Sequence, residues 1–204
     1  MSYFVYKGKK HTISEEAMAE IIELGKFLEN RNGTTLSEID VGETFKIGDM
    51  EFVVLEHLNG ETAVVSKGLY GELRFGDNNN YNGSNVDNKC NEIAKTIENI
   101  VGEENLCEHG VDLTANNGMK CYGEITRKVS LLTAEKVRRY AEILMKHHLC
   151  EWYWLATASG TKKWGTDSYA LCVAPTGSII GNNGYSSYYR VRPFCILKSS
   201  IFVS

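Results

Sequence analysis

The sequence predicts an α+β fold with strands toward both ends of the chain and helices between them. Three observations carry this expectation. Apolar residues recur with a period of two from Val41 onward, take helical spacing over 86–101 and 133–145, and return to alternation from Trp152.

The N-terminal element opens with a capping box, Thr12-Ile13-Ser14-Glu15, followed by Met18, Ile21, Ile22 and Leu28 on one stripe. That pattern predicts an amphipathic helix of about four turns, ending at Asn32-Gly33. Its apolar stripe has two possible uses, packing on its own domain or joining copies into a homo-oligomer. Residues 1–35 therefore read as a helical extension and 36–204 as the main domain. Within that domain Thr44–Ile47, Glu51–His57 and Thr62–Ser66 read as strands of a three-stranded meander. Gly48-Asp49 and Asn59-Gly60 supply the hairpin turns between them.

Phe75–Ser84 reads as a polar loop, after which Val86, Cys90, Ile93, Ala94, Ile97 and Val101 fall on one helical face. Thr133 caps a further helix bearing Val137, Tyr140, Ala141, Leu144 and Met145, and Gly102–Arg127 between the two looks irregular. Trp152 to Thr157 then alternates as a central strand, and Tyr169–Ala174 forms another that turns at Pro175-Thr176-Gly177. After Ile179-Ile180, Gly181-Asn182-Asn183-Gly184 reads as a second turn, and Tyr188–Leu197 as one strand that closes the sheet.

Composition narrows the functional classes. The 204 residues, 43% hydrophobic and 24% charged, suit a folded domain with an extension rather than a disordered chain. A net charge of -4, with Lys7, Lys9 and Lys10 as the densest basic cluster, argues against nucleic acid as a partner. No stretch reaches the roughly 20 apolar residues that span a bilayer, so membrane insertion is not expected. The first ten residues lack the apolar core of a secretory signal, which places the protein in the cytoplasm as synthesised, with association with a virion as a route out. Six scattered cysteines include no Cys-x-x-Cys, and no histidine pair has zinc-finger spacing, so no metal or other cofactor is expected. Cys90, Cys172 and Cys195 sit in apolar patterns and read as buried thiols.

Five separated segments, "VGETFKIGDMEFVVLEH", "YNGSNVDNKCNEIA", "WYWLATAS", "APTGSI" and "VRPFCILKSS", together resemble an uncharacterised domain family of Firmicutes and their phages. The resemblance spans roughly Leu36 to Ser204. It implies a C-type-lectin-like fold, shared with formylglycine-generating enzymes and with variable proteins diversified by retroelements, in which N- and C-terminal strands pair. The calcium-binding motifs of sugar-binding lectins, Glu-Pro-Asn or Gln-Pro-Asp with Trp-Asn-Asp, do not occur. Asp77-Asn78-Asn79-Asn80 lacks the carboxylate spacing of a calcium loop and reads as a polar turn.

Candidate binding residues concentrate in Lys162, Trp164, Asp167, Tyr169, Asn182, Asn183, Tyr185, Ser186, Ser187, Tyr188 and Tyr189. Tyrosine and tryptophan offer rigid contact area while Ser, Gly and Asn adapt by hydrogen bonding, which is the composition of antibody loops. The resemblance adds that diversified lectin-like proteins vary just before a constant closing strand. The competing reading is an ordinary Gly-Asn-Asn-Gly turn beside tyrosines that pack on the sheet. Trp152 and Trp154 read as core, and Arg190 and Arg192 as sharing a face and pairing with carboxylates. His147-His148 reads as a helix C-terminal cap, while His57 and His109 lack a nucleophile beside them.

The expectation is a non-catalytic binding protein of phage or prophage origin that meets a protein or glycan on a host or competitor cell. A virion-displayed adhesin is the first form, and an intracellular phage effector that inhibits a host protein the second. A third is an enzyme of the formylglycine-generating type, which requires Cys172 and Cys195 to meet at an open cleft.

Overall fold

A computed structural model gives the backbone of residues 2–6, 9–14, 16–19 and 33–204 and, from Ser14 onward, their side chains apart from that of Trp164. Strands β1 (Ser2–Tyr6) and β2 (Lys9–Ile13) form an antiparallel hairpin. Thr12, expected at the head of a helix, lies instead in β2. The run Tyr3-Phe4-Val5-Tyr6 and the pair Thr12-Ile13 favour extended backbone. Ser14 takes the capping place, its hydroxyl accepting the Ala17 N–H at 3.1 Å, and residues 16–19 are helical. The rest of the expected helix, with Ile21, Ile22 and Leu28, lies outside the described residues.

The main domain begins with β3 (Thr34–Thr35) and the meander β4 (Thr44–Ile47), β5 (Met50–Leu58) and β6 (Glu61–Ser66), as the alternation predicts. Asn59 and Gly60 take φ of 53° and 79°, the geometry a two-residue hairpin demands of both central residues. Strand β7 (Tyr70–Arg74) and helix α1 (Asn85–Val101) follow, the helix capped by the Ser84 hydroxyl. The stretch expected to be irregular holds three short strands, β8 (Leu106–Cys107), β9 (His109–Asp112) and β10 (Glu124–Arg127). With two to four residues each, they are too short to show a period, and β9 pairs with β10 through Val111 opposite Ile125.

Strand β11 (Val129–Leu131) leads to Thr133, which caps helix α2 (Ala134–Arg139). The single helix expected here breaks at Tyr140, and α3 (Ala141–Lys146) continues it. Then come β12 (Tyr153–Ala158), β13 (Tyr169–Val173) and β14 (Ile179–Asn183). Gly181-Asn182-Asn183, expected as a turn, is part of β14, and the reversal falls at 184–187. The expected closing strand is two strands, β15 (Tyr188–Val191) and β16 (Pro193–Lys198), ahead of β17 (Phe202–Val203).

The fold is α+β with mostly antiparallel sheets. One sheet has the order β11-β16-β6-β5-β4, with β8 also on β16, and the other the order β14-β13-β12-β15-β7, in which only β12 and β15 run parallel. The ends of the domain meet, with β17 paired to β3. Two cores lie on opposite faces of the strands. Phe52, Val54, Trp154 and Ala156 join Val86, Cys90 and Ile97 of α1 in one core. Val53, Leu55, Tyr153 and Leu155 join Val137, Tyr140 and Leu144 in the other. Every residue of β12 is buried, as befits a central strand covered on both sides.

β15 and β16 are separate because the chain changes sheets at Arg192, which is 1% exposed. Arg190 pairs with Glu151 on the surface as expected, whereas Arg192 meets no carboxylate among the described residues. Its guanidinium donates to Ser66 O at 3.1 Å, His147 O at 3.2 Å and the Tyr153 hydroxyl at 3.3 Å, and lies 5.3 Å from the Tyr153 ring centre. Arg192→Met strands three acceptors and is expected to cost about 3 kcal/mol. Arg192→Lys is expected to recover little, since one ammonium cannot reach three divergent acceptors. Urea unfolding of the three proteins measures both effects.

Candidate functional site

Loops converge at one end of the second sheet, and a single buried side chain ties three of them together. Asn79, fully buried, lies in the polar loop between Phe75 and Tyr81, two aromatic residues that are themselves fully buried. Phe75 meets Trp154 edge-on at 5.5 Å, and the Tyr81 hydroxyl accepts the Leu131 N–H, so both ends of the loop are fixed to the core. Asn79 Nδ2 donates to Gly160 O and to Tyr169 O, each at 2.9 Å. Its backbone N–H donates to Asp167 O, and its Oδ1 accepts the Tyr122 hydroxyl at 2.7 Å. Asn79 therefore closes the base of the loop that runs from Gly160 to Tyr169. Lys162, Trp164 and Asp167 all lie in that loop, the first two in a 3-10 turn, Lys162–Trp164.

A second set of bonds draws in the C-terminal turn. Tyr169 stands opposite Asn183 in the β13–β14 pair, next to Asn182 opposite Ala170. Asn183 Oδ1 accepts the N–H groups of Tyr185 and Ser186, and its carbonyl accepts that of Ser187. The Gly184 N–H reaches Ser168 O, and the Tyr185 hydroxyl lies 3.1 Å from Ser168 Oγ. Hydrogen bonds from Ser168 and Asn183 hold the Tyr185 phenol below its ordinary pKa. Arg74 reaches Tyr185 O, and Tyr188 pairs with Arg74 across β15 and β7.

The structure thus gathers Asp167, Tyr169, Asn183, Tyr185, Ser186, Ser187 and Tyr188 at one surface, whereas Asn182, opposite Ala170, lies on the other face of the strand pair, toward the Cys172 thiol. Tyr169 and Tyr185 are each 43% exposed and Tyr188 57%. Lys162 is exposed, and the Trp164 side chain lies outside the described residues. Tyr189 faces inward, its ring stacked 5.0 Å from Trp152 and tilted 4.7 Å from Trp154, so its role is packing. Trp154 is fully buried, as its strand position predicts.

The groups weighed for catalysis are placed as follows. Cys172 and Cys195 are both fully buried, the first in the second sheet and the second in the first. Burial raises the Cys172 thiol to about 12 and pushes Cys195 higher still. Neither is a thiolate at an open cleft, which is what formylglycine-type chemistry needs. Cys90 is buried as well. His147 and His148 bond the carbonyls of Gly42 and Pro175 rather than those of their own helix, and His57 bridges Thr62 and Ile39 O. His109 is buried against Phe194 with Nε2 on Ser130 Oγ, and its Nδ1 has no partner among the described residues. Burial brings its pKa down to about 4, Lys136 adds to the fall, and the Cys107 backbone acts the other way.

Among the described residues no group of three or more His, Cys, Asp or Glu side chains could hold a metal ion, and no helix is long and apolar enough to cross a membrane. No family model matches the chain, and no curated protein or solved structure matches it either.

Asn79→Asp turns two donors into an acceptor facing the carbonyls of Gly160 and Tyr169. The loop they bound is expected to open, so trypsin cleavage after Lys162 or Lys163 rises at least about tenfold while the core stays folded. Timed proteolysis with mass readout checks this. His109 makes a separate prediction. Its imidazole takes up a proton near pH 6.5 in the unfolded chain and only near 4 in the folded one, so stability falls as pH drops through that window. Between pH 7 and 5, above the carboxylate range, the loss is about 2 kcal/mol. Denaturation midpoints at the two pH values should lose most of that difference in His109→Gln.

Proposed function

We propose that the chain is a non-catalytic ligand-binding protein with a C-type-lectin-like domain, whose ligand docks on Tyr169, Tyr185 and Tyr188 and the loops around them. One observation carries this reading. Three exposed tyrosines stand at the starts of β13 and β15 and in the turn between β14 and β15, Tyr169 held through its carbonyl by the fully buried Asn79 carboxamide and Tyr185 by Asn183 and Ser168, so large contact areas are held in place before any ligand arrives. Preorganised aromatic side chains of this kind lose little entropy on binding. Pairing of the first and last strands of the domain supports the lectin-like reading, as do the sequence segments that resemble the Firmicutes and phage family. Phage or prophage origin rests on that resemblance, with display on a virion as an adhesin as the favoured form.

The test compares the wild-type chain with a Tyr169→Ala/Tyr185→Ala/Tyr188→Ala variant for binding to intact Firmicutes cells and to their isolated envelopes. Each substitution falls on an exposed side chain, so the fold is expected to persist, within about 0.5 kcal/mol per site. Wild-type binding to envelopes, lost by at least tenfold in a folded variant, is the expected result. Equal binding by both proteins would remove the tyrosine surface from the function. Absence of envelope binding, with tyrosine-dependent capture of one cytoplasmic protein, would replace the adhesin by the intracellular effector.

A further inference from the structure

Of the four strands that end the two main sheets, three are covered or charged. The Lys46 N–H of β4 donates to Ser204 O. Beside β11, the Leu131 N–H meets the Tyr81 hydroxyl and Leu132 O accepts the Ala156 N–H. Strand β7 carries Glu72 and Arg74, holds Gly71 at φ 57°, and shifts in register along β15. Cover, charge and irregular register are the ordinary defences of a sheet edge. Strand β14 has none of them among the described residues. Its sequence, Ile179-Ile180-Gly181-Asn182-Asn183, holds no charge and no proline, and it pairs with β13 without a break in register.

Alternation divides the main-chain groups of β14 between two sides. Tyr169 O accepts the N–H of Ser159, directly after β12, and the Ala174 N–H donates to Ser178 O across the β13–β14 hairpin. Ala170–Asn182 and Cys172–Ile180 are therefore the hydrogen-bonded pairs, and Ile179, Gly181 and Asn183 point their N–H and C=O groups away from β13. The Asn183 carbonyl accepts the Ser187 N–H in its own turn, while the main-chain groups of Ile179 and Gly181 have no partner among the described residues. The Ile180 side chain between them is 38% exposed.

We infer that β14 pairs antiparallel with β14 of a second copy of this chain, about a two-fold axis at Gly181, so that the second sheets of two copies join into one. The strand is its own match in this register. Gly181 exchanges both main-chain bonds with its counterpart, Ile179 does so with the partner's Asn183, and Ile180 stands opposite the partner's Asn182. The axis runs perpendicular to the sheet, so each face of one copy continues as the same face of the other. With no charge in the strand, two copies meet without repulsion, and the isologous contact closes at a dimer. A foreign strand is selected by pockets for its alternate side chains or by charge. β14 offers main-chain groups, a glycine and short neutral side chains, which its own copy satisfies by register alone.

Sedimentation equilibrium of the full chain tests the inference, beside Ile180→Lys and Leu58→Lys, the second being the same kind of change at an exposed residue of β5. A five-residue edge buries less than a standard interface of about 1,600 Å², so a weak dimer is expected, with Kd between about 1 and 100 µM. Ile180→Lys is expected to weaken it at least tenfold at an unchanged unfolding midpoint, and Leu58→Lys to leave it as it is. Hydrogen exchange reads the register directly. The amides of Ile179 and Gly181 are expected to exchange fast in dilute protein and slowly in concentrated protein, while those of Ile180 and Asn182, bonded to β13, stay slow in both. A chain still monomeric at about 500 µM would overturn the inference. So would a dimer that Ile180→Lys leaves intact, one that both lysine variants weaken equally, or exchange at Ile179 and Gly181 that does not respond to concentration.

Discussion

A guanidinium without a counter-charge among the described residues sits where the chain leaves one sheet for the other, and the architecture turns on it. Arg192 follows the last residue of β15 and precedes Pro193, the first of β16, whose ring cannot donate to a ladder. Its three acceptors come from the end of β6, from β12 and from the residue after α3. One side chain thus ties both sheets to the helix that covers the second core. Neutral oxygens and a tyrosine face suit this delocalised cation, because a buried carboxylate would add its own desolvation cost without supplying more bonds. The position of β15 in the second sheet follows, and with it the position of the turn at 184–187 that precedes it.

Asn79 does for the loops what Arg192 does for the sheets. Its side chain has two donors and one acceptor oxygen in use, and all of its partners belong to other parts of the chain. An apolar residue of similar size would fill the space but would leave the carbonyls of Gly160 and Tyr169 unpaired. A satisfied carboxamide fixes direction as well as distance, which is what a loop of ten residues with no regular strand of its own requires. The surface residues of Gly160–Tyr169 are therefore free to be chosen for contact rather than for folding.

Much of the framework was legible in the sequence. The meander, α1, the capping by Thr133, and strands β12 and β13 were predicted, since each has a period long enough to read or a turn residue with one use. Strands of two to four residues in 106–127 show no period, and β7 begins Tyr70-Gly71, where the glycine at φ 57° conceals a strand. The single closing strand was a misreading because Tyr188 to Leu197 is rich in strand-favouring residues on both sides of Arg192, and composition cannot register a change of sheet. The Gly-Asn-Asn-Gly turn was misplaced because Asn183 initiates the reversal through its side chain instead of occupying its centre. The exposed tyrosines were found by composition. Asn79 and Tyr122 were not, since a buried asparagine looks the same in sequence as its exposed neighbours Asn78 and Asn82. The signal that could have found it is its place between Phe75 and Tyr81, two aromatics that anchor an otherwise polar segment.

Adjacent tyrosines show how the strand period divides framework from surface. Tyr188 and Tyr189 are consecutive in β15 and so point to opposite faces, one 57% exposed and the other stacked on Trp152 and Trp154. The same rule separates Tyr169 from Ala170, which is fully buried against the α1 core. Substitutions at 169, 185 or 188 change the exposed surface and leave the aromatic stack intact. A substitution at 189 opens a cavity beside two tryptophans. A domain built this way can alter its surface chemistry at alternate positions of a strand while its stability depends on the residues between them.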